Sequence, residues 1–420
     1  LNQLIEKIVE ELRIHGAVTF ARFMEFALYC PVYGFYEKEE DTVGRCGHFY
    51  TSVSVGPLFG ELLARQFAGW LDDLNRRADM PSGNRTDTPP AQIGLESVTS
   101  PLVLVEAGAH KGQLARDILL WFRNERPDLF RGIVYWVVEP SARSQQWQQT
   151  TLAEFLDKVR WVNNLADLAR LHAPELGFSH GMLNGVIFSN ELLDAIPVHR
   201  LGWDAGKGCW FEWGVTFANG QFDWTRMAWD AEWPPNPIGD ALLPDWPVEV
   251  LRCLPDGFTI EVGEAANRWW NEAASTLGKG KLLTIDYGLT DEELIGRASA
   301  EAVLTQPPTS GTGSSTLRAY YRHQVVSDLL ARPGEQDITA HVNFSSMCRT
   351  GEKAGLKTEM LTTQEQFLMR IVAPALSAGS TAENWTPERI RQFKTLTHPD
   401  HLGRSFRVLV QARSCSGVVV

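Results

Sequence analysis

Residues 101–120, PLVLVEAGAHKGQLARDILL, decide the fold. Four apolar residues, Leu102 to Val105, run into Glu106 as a buried parallel strand would, and Leu114, Ile118, Leu119 and Trp121 then recur at helical spacing. Gly108 and Gly112 lie between the two patterns. A strand that turns at once into a helix needs residues free of β-carbon clashes, and the helix start leaves backbone N–H groups pointing above the sheet. In an open parallel sheet, small cofactors bind there, at the carboxyl ends of the strands.

Spacing narrows the cofactor. A dinucleotide fingerprint wants G-x-G-x-x-G, but counted from Gly108 the second and third glycines are replaced by His110 and Gln113. A phosphate-binding loop wants Gly-Lys-Ser/Thr, which is not in this turn. The E-x-G-x-G-x-G turn of S-adenosylmethionine (SAM) methyltransferases fits better, with Glu106, Gly108 and Gly112 matching and His110 at the middle glycine. On this turn alone, a plain strand-to-helix connection stays open.

Outward from that turn the chain alternates strand and helix, so a mostly parallel α/β sheet with crossover helices is expected. Further strands are expected at Ile133 to Val138, ending at Glu139-Pro140; at Val159 to Val162; at Val186 to Phe188, ending at Asn190-Glu191; and at Leu282 to Ile285, ending at Asp286-Tyr287-Gly288. Acid or amide groups at successive carboxyl ends look like a ligand crevice. Residues 199 to 235 break the rhythm with alternating aromatics around Asn219-Gly220, the dipeptide of a type I′ hairpin. Beyond 310 we expect a helix and strands near Gln364 to Ile371 and Phe406 to Val410.

The flanks read differently. Leu1, Leu4, Ile5, Ile8, Val9 and Leu12 form one apolar helical face, while Glu6, Glu10 and Glu11 argue against a transit peptide. The loop from Pro31 to Pro57 is expected to be an ordered cap over the cofactor turn, with a surface loop as the alternative. The stretch 75–100 is rich in Pro, Gly, Ser, Thr and Asn, the composition of a mobile insertion. The domain expectation is therefore 1–74 helical cap and covering loop, 75–100 insertion, 101–200 first half of the core, 201–280 inserted hairpin region, and 281–420 second half of the core.

With 420 residues and a net charge of -12, the chain gives no electrostatic reason to expect nucleic acid, which would need a basic face; a cationic peptide is the more natural partner. No run approaches about 18 apolar residues, so no membrane span is expected. Six cysteines without a C-x-x-C pair point to reduced thiols in a cytosol-like compartment. His398-Pro399-Asp400-His401 specifies no third ligand, and neither it, His323 nor His341 is assigned a metal.

Two constellations carry the chemistry. Glu139, at the end of the second strand, is placed to accept the ribose hydroxyls of an adenosyl cofactor, or else to serve a helix start at Glu139-Pro140-Ser141. Asn190, Glu191 and Asp194 follow the fourth strand, where the transferred group would emerge; the two acids share a face if that stretch is helical. Were the acceptor arginine, such carboxylates would orient the guanidinium and relieve it of a proton. Capping and salt bridging would explain the same residues.

Nine stretches together resemble the MidA-like SAM-dependent methyltransferases, the family that includes the mitochondrial complex I assembly-factor methyltransferase modifying an arginine. They include FARFMEFALYCPVYGFY (20–36), GHFYTSVSVGPLFGELLA (47–64), VEAGAHKGQLARDIL (105–119), VEPS (138–141), SNELLDAIPVHR (189–200), TLRAYYRH (316–323) and DITAHVNF (337–344), in one order along nearly the whole chain. The resemblance implies a class I, Rossmann-like methyltransferase fold with an N-terminal cap and inserted hairpins, SAM as cofactor, and an arginine-containing protein segment as acceptor. It implies that Thr51, Ser52, Glu106, Gly108, Gly112 and Glu139 serve the cofactor, that Glu191 and Asp194 face the acceptor, and that Asn190 positions it. A homodimer is left open, and the compartment would be the mitochondrial matrix in a eukaryote or the cytoplasm in a bacterium. Two positions depart from the family: His110 replaces the middle glycine, and His48 replaces the acid of its G-D-F-x-T-S word. Those departures sustain the alternative of a fold kept for binding or assembly without turnover.

Overall fold

The computed structural model describes residues 3–38, 51–78, 101–171, 178–179, 182–227, 243, 246–302, 316–322, 324–377 and 385–413. Seven strands carry the central sheet: β1 (Leu102–Ala107), β2 (Ile133–Val138), β3 (Val159–Val162), β4 (Met182–Asn190), β5 (Leu277–Leu289), β6 (Lys357–Thr363) and β7 (Phe406–Arg413). Their spatial order is 3-2-1-4-5-7-6. Strands β1 to β5 pair in parallel, and β7 is antiparallel to both β5 and β6. This is the mostly parallel, Rossmann-like sheet expected from the β1 stretch.

Both faces of the sheet's centre are covered, which is why strands β1 and β2 read as apolar runs. On one face Leu104, Tyr135, Phe188 and Leu283 pack with Phe67 of helix Leu58–Ala78, with Ile118 of helix Gln113–Glu125 and with Leu368 of helix Gln364–Ser377. On the other, Val103, Val105, Trp136 and Ile187 meet Trp270 of helix Glu264–Thr276 and Met347 of helix Phe344–Lys353. Side-chain caps start several connecting helices: Ser141, Asn164 and Asn343 each accept a backbone N–H from three residues on, worth about 1 kcal/mol apiece.

Some boundaries differ from the sequence reading. The fourth and fifth strands are longer, so Asp286, Tyr287 and Gly288 lie inside β5 and not after it. The stretch Gln364 to Ile371 is helix, not strand, because Phe367, Leu368, Ile371 and Val372 are buried at helical spacing; the strand is the preceding Lys357–Thr363. Asn75 to Ala78 continue the helix begun at Leu58, and the rest of the expected insertion, 79–100, lies outside the described residues.

A second, antiparallel sheet supports the N-terminal helices. Strand Cys209–Ala218 turns at Asn219 (φ 52°) and Gly220 (φ 83°) into Gln221–Met227, the two positive φ values of the expected type I′ hairpin. It also pairs with Val18–Thr19 and with His199–Asp204, which pairs in turn with Thr259–Val262. Helices Gln3–His15 and Phe20–Tyr29 bury Leu4, Ile8, Phe20, Phe23 and Met24 in a core shared with Val215 and the hairpin aromatics Phe222 and Trp224. That core holds Tyr29 and Tyr36 against the carboxyl edge of the main sheet. A third small sheet, Arg318–Tyr321 with Gln324–Val326 and Asp337–Thr339, closes the same side.

Candidate active site

A cavity of about 1020 Å³ opens where β1, β2, β4 and β5 end. Gly108, Glu139, Asn190, Glu191 and Asp194 all line it, so the expected carboxyl-edge crevice exists. Gly108 (φ 73°) starts the turn, and a β-carbon there would stand 2.9 Å from Leu192 Cδ1. Gly112 (φ 80°) is the N-cap of helix Gln113–Glu125, and no side chain caps that helix. Glu106 sits within β1, 2% exposed, at the crevice floor; its Oε2 accepts from Tyr135 Oη at 2.7 Å. Burial pushes its carboxyl up to about 7.

His110, which stands at the middle glycine of the E-x-G-x-G-x-G turn, also takes a left-handed conformation (φ 45°). Its ring lies edge-on to Trp147 at 6.2 Å, and its carbonyl accepts from Gln148 Nε2 at 2.9 Å. The turn thus accommodates a side chain by packing it against helix Ala142–Thr151. His48, the other departure, lies outside the described residues, as does His323.

Glu139 faces the cavity and is held from behind: Oε1 accepts from the Ser141 N–H and Oε2 from Gln148 Nε2, both at 3.0 Å. The helix-start role and the crevice position therefore coexist. Burial raises its carboxyl to about 7. Asn163 and Asn164, just past β3, line the same end of the cavity.

The opposite wall is acidic and aromatic. Glu191 is a left-handed corner (φ 51°) and not part of a helix, followed by a short 3-10 turn, Leu193–Ala195. Glu191 Oε1 accepts from the Ser52 N–H (3.0 Å) and from Asn190 Nδ2 (3.1 Å). Burial, reinforced by Asp194, raises its carboxyl to about 8, and burial lifts Asp194 to about 7. The corner is fixed from three sides. Asp286 Oδ2 accepts from the backbone N–H of Leu192, Leu193 and Asp194; Ala340 N–H donates to Asp194 O at 2.8 Å; and Tyr29 Oη donates to Ala195 O at 2.9 Å. Asp286 is itself pushed well above the carboxylate range by burial and by Asp194. Asp337 adds another buried acid, bonded by Tyr36 Oη at 2.8 Å and raised by burial to about 8. Tyr29 and Tyr36 stack at 5.5 Å beside it.

The sequence reading gave roles to Glu191, Asp194 and Asn190, set Asp286 at the same strand edge without a role of its own, and passed over Gln148, Tyr29 and Tyr36. Asp286 was legible because it ends an apolar run just as Asn190 does; Gln148, Tyr29 and Tyr36 come from elements with no periodic signal pointing at the site. Thr51 lines the cavity, whereas Ser52 is buried behind its wall, joined to Glu191 by its N–H and to Gln364 Oε1 by its hydroxyl at 3.1 Å. Within DITAHVNF, Asp337, Thr339, Ala340 and His341 line the crevice, Ile338 points into the core beneath the N-terminal helices, and Asn343 caps the next helix.

SAM presents ribose hydroxyls, an ammonium, a carboxylate and a sulfonium, and the residues present fit that set. The Glu139 carboxylate is an acceptor lining the cavity that would suit ribose hydroxyls, and the helix start after Gly112, free of any side-chain cap, would suit an anion. The Asn190 Nδ2–Glu191 bond fixes the amide orientation, leaving Oδ1 buried with no partner among the described residues: an acceptor waiting for a donor. Sheet order and crevice chemistry together define a SAM-dependent methyltransferase of class I.

A family model described as "Putative S-adenosyl-L-methionine-dependent methyltransferase" matches residues 89–362, and the chain belongs to that family. Similar curated proteins include the mitochondrial protein arginine methyltransferase NDUFAF7 homolog of Drosophila melanogaster, 26% identical over 97% of this chain and 84% of that protein. The mouse NDUFAF7 protein arginine methyltransferase is 27% identical over 84% of this chain and 70% of its own length. A Burkholderia thailandensis protein crystallised with S-adenosyl-homocysteine shares the fold at a TM-score of 0.73, with 24% identity, covering 99% of this chain and 93% of that one. SAM is thus the cofactor, and methyl transfer the activity. Among the described residues no helix is long and apolar enough to cross a membrane.

Proposed function

We propose that the chain methylates an arginine guanidinium presented by a protein segment. The observation that carries this reading is the clustering of Glu191, Asp194 and Asp337 with Tyr29 and Tyr36 on the wall facing Glu139, in one cavity. Bound SAM supplies an electrophilic methyl group on its sulfonium. Everything else falls to the protein's own side chains. With Glu191 Oε1 already accepting two hydrogen bonds, Oε2 is left to face a guanidinium N–H, and Asp194 supplies a second anchor of fixed orientation. A cation entering between these acids lowers their proton affinity and converts them to carboxylates, one of which takes the proton that the attacking nitrogen sheds. The tyrosines and the Ser52 loop keep water from the transfer.

The names of the relatives support an arginine acceptor, and the net charge of -12 suits a cationic segment. In the same reading Thr51, Gly108 and Glu139 contact the cofactor, Glu106, Ser52 and Gly112 shape its surroundings, and the 1–74 region acts as the cap. A respiratory complex I subunit is the first acceptor to try, in the mitochondrial matrix if the source is eukaryotic and the cytoplasm if bacterial. Incubating lysate with isotope-labelled SAM and the protein, followed by peptide mass spectrometry, should find the label on arginine. Label on lysine, on a carboxylate or only on small molecules would overturn the acceptor assignment.

A further inference from the structure

Gln148 does not line the cavity, yet three of its contacts bear on how the cavity holds its cofactor. Its Nε2 donates both to the His110 carbonyl (2.9 Å) and to Glu139 Oε2 (3.0 Å), while its Oε1 accepts from Trp161 Nε1 at 2.9 Å on β3. The side chain is fully buried, and helix Ala142–Thr151 comes so near the turn that a β-carbon on Gly112 would stand 3.4 Å from Gln148 Cα. One amide therefore ties the histidine-bearing turn of β1 to the carboxylate at the end of β2, and Trp161 fixes which way that amide points.

We propose that Gln148 is the positioning residue for the methyl donor, the link that lets a turn carrying histidine in place of glycine keep its register with Glu139. A glycine turn reaches its conformation without help, whereas a β-carbon at φ 45° is disfavoured and must be held. The Gln148–His110 bond supplies that hold, and the packing of the His110 ring on Trp147 completes it. The second bond takes one lone pair of Glu139 and thereby aims the remaining ones at the crevice. The inference rests on the cofactor assignment and is independent of which acceptor is methylated.

Calorimetry with S-adenosylhomocysteine tests it on the full chain. Gln148→Ala should weaken binding roughly tenfold, the loss expected for a removed hydrogen bond to a charged group, and should raise KM for SAM while kcat at saturating SAM stays within about twofold. Gln148→Glu keeps the shape and the Trp161 bond but sets a carboxyl against Glu139, with Glu37 as the other acid bearing on it. Its deficit relative to wild type should be largest near pH 8 and shrink towards pH 6, where the pair shares a proton. A merely structural residue would lower the melting temperature of Gln148→Ala while leaving its S-adenosylhomocysteine affinity and its KM for SAM unchanged. The proposal fails if Gln148→Ala binds within about twofold of wild type, or if the Gln148→Glu deficit is the same at both pH values. Should the alanine variant not fold, the isosteric Gln148→Glu comparison decides alone.

Discussion

Replacing Glu106 by glutamine should make the protein more stable in alkaline solution and leave it nearly unchanged in acid. Glu106 is 2% exposed, and a hydroxyl donor, Tyr135 Oη, is its only hydrogen-bond partner among the described residues. Burial raises its carboxyl from 4.5 to about 7. A group whose proton affinity is higher in the folded state favours folding fully below its unfolded pKa, and that contribution disappears as pH climbs through the folded value. At roughly 1.4 kcal/mol for each tenfold change in proton affinity, the wild type should lose about 3 kcal/mol from this one residue between pH 4.5 and pH 8. Glutamine accepts the same Tyr135 bond and carries no charge to desolvate, so Glu106→Gln should escape that loss. Urea denaturation of the two proteins at pH 5 and pH 8, without cofactor, reads the difference directly. Parallel pH dependence of the two, or a glutamine variant weaker than wild type at pH 8, would refute the reasoning and mean that the folded protein stabilises the anion.

Glu139→Gln should retain the fold, since glutamine still accepts from Ser141, but weaken S-adenosylhomocysteine by about tenfold to a hundredfold, measured by calorimetry. Glu191→Gln and Asp194→Asn should each lower kcat by roughly a hundredfold or more with cofactor affinity within about threefold. Because the acids must ionise to receive the cationic acceptor, the wild-type kcat/KM for the acceptor should rise with pH through about 7 to 8, and the Glu191→Gln profile should lose the upper part of that rise. Gly220→Ala, at a φ of 83° with open space around its β-carbon, should cost roughly 1–2 kcal/mol in chemical denaturation and leave cofactor binding untouched.

The parts of the molecule that could be read from sequence were those written in local periodicity. Strands β1 and β2 are apolar because both faces are covered, and each stops at a polar group on the same edge, so Gly108 and Glu139 were placed with the fold itself. Asn219-Gly220 forces a hairpin through backbone sterics alone. The acidic wall was only partly legible, because Tyr36 and Asp337 meet across 301 residues and nothing local to either points at the other. Gln364 to Ile371, expected as a strand, is helix: the buried set Phe367, Leu368, Ile371 and Val372 has the helical repeat. Gln148 looked like one polar residue among several in a helix of weak amphipathic pattern, and only its three hydrogen bonds distinguish it.

Strand β7 follows every other strand in the sequence but inserts between β5 and β6. During synthesis, β1 to β5 therefore leave the ribosome with the outer flank of β5 unsatisfied, a row of open amides and carbonyls next to Asp286, until Phe406–Arg413 arrives to fill it. A nascent chain stalled before that point would expose a sticky sheet margin and lack the ladder that steadies the acidic corner. Premature termination shortly upstream of Phe406 should thus yield aggregate and not a smaller working enzyme, and chaperone engagement should fall off as that last stretch emerges.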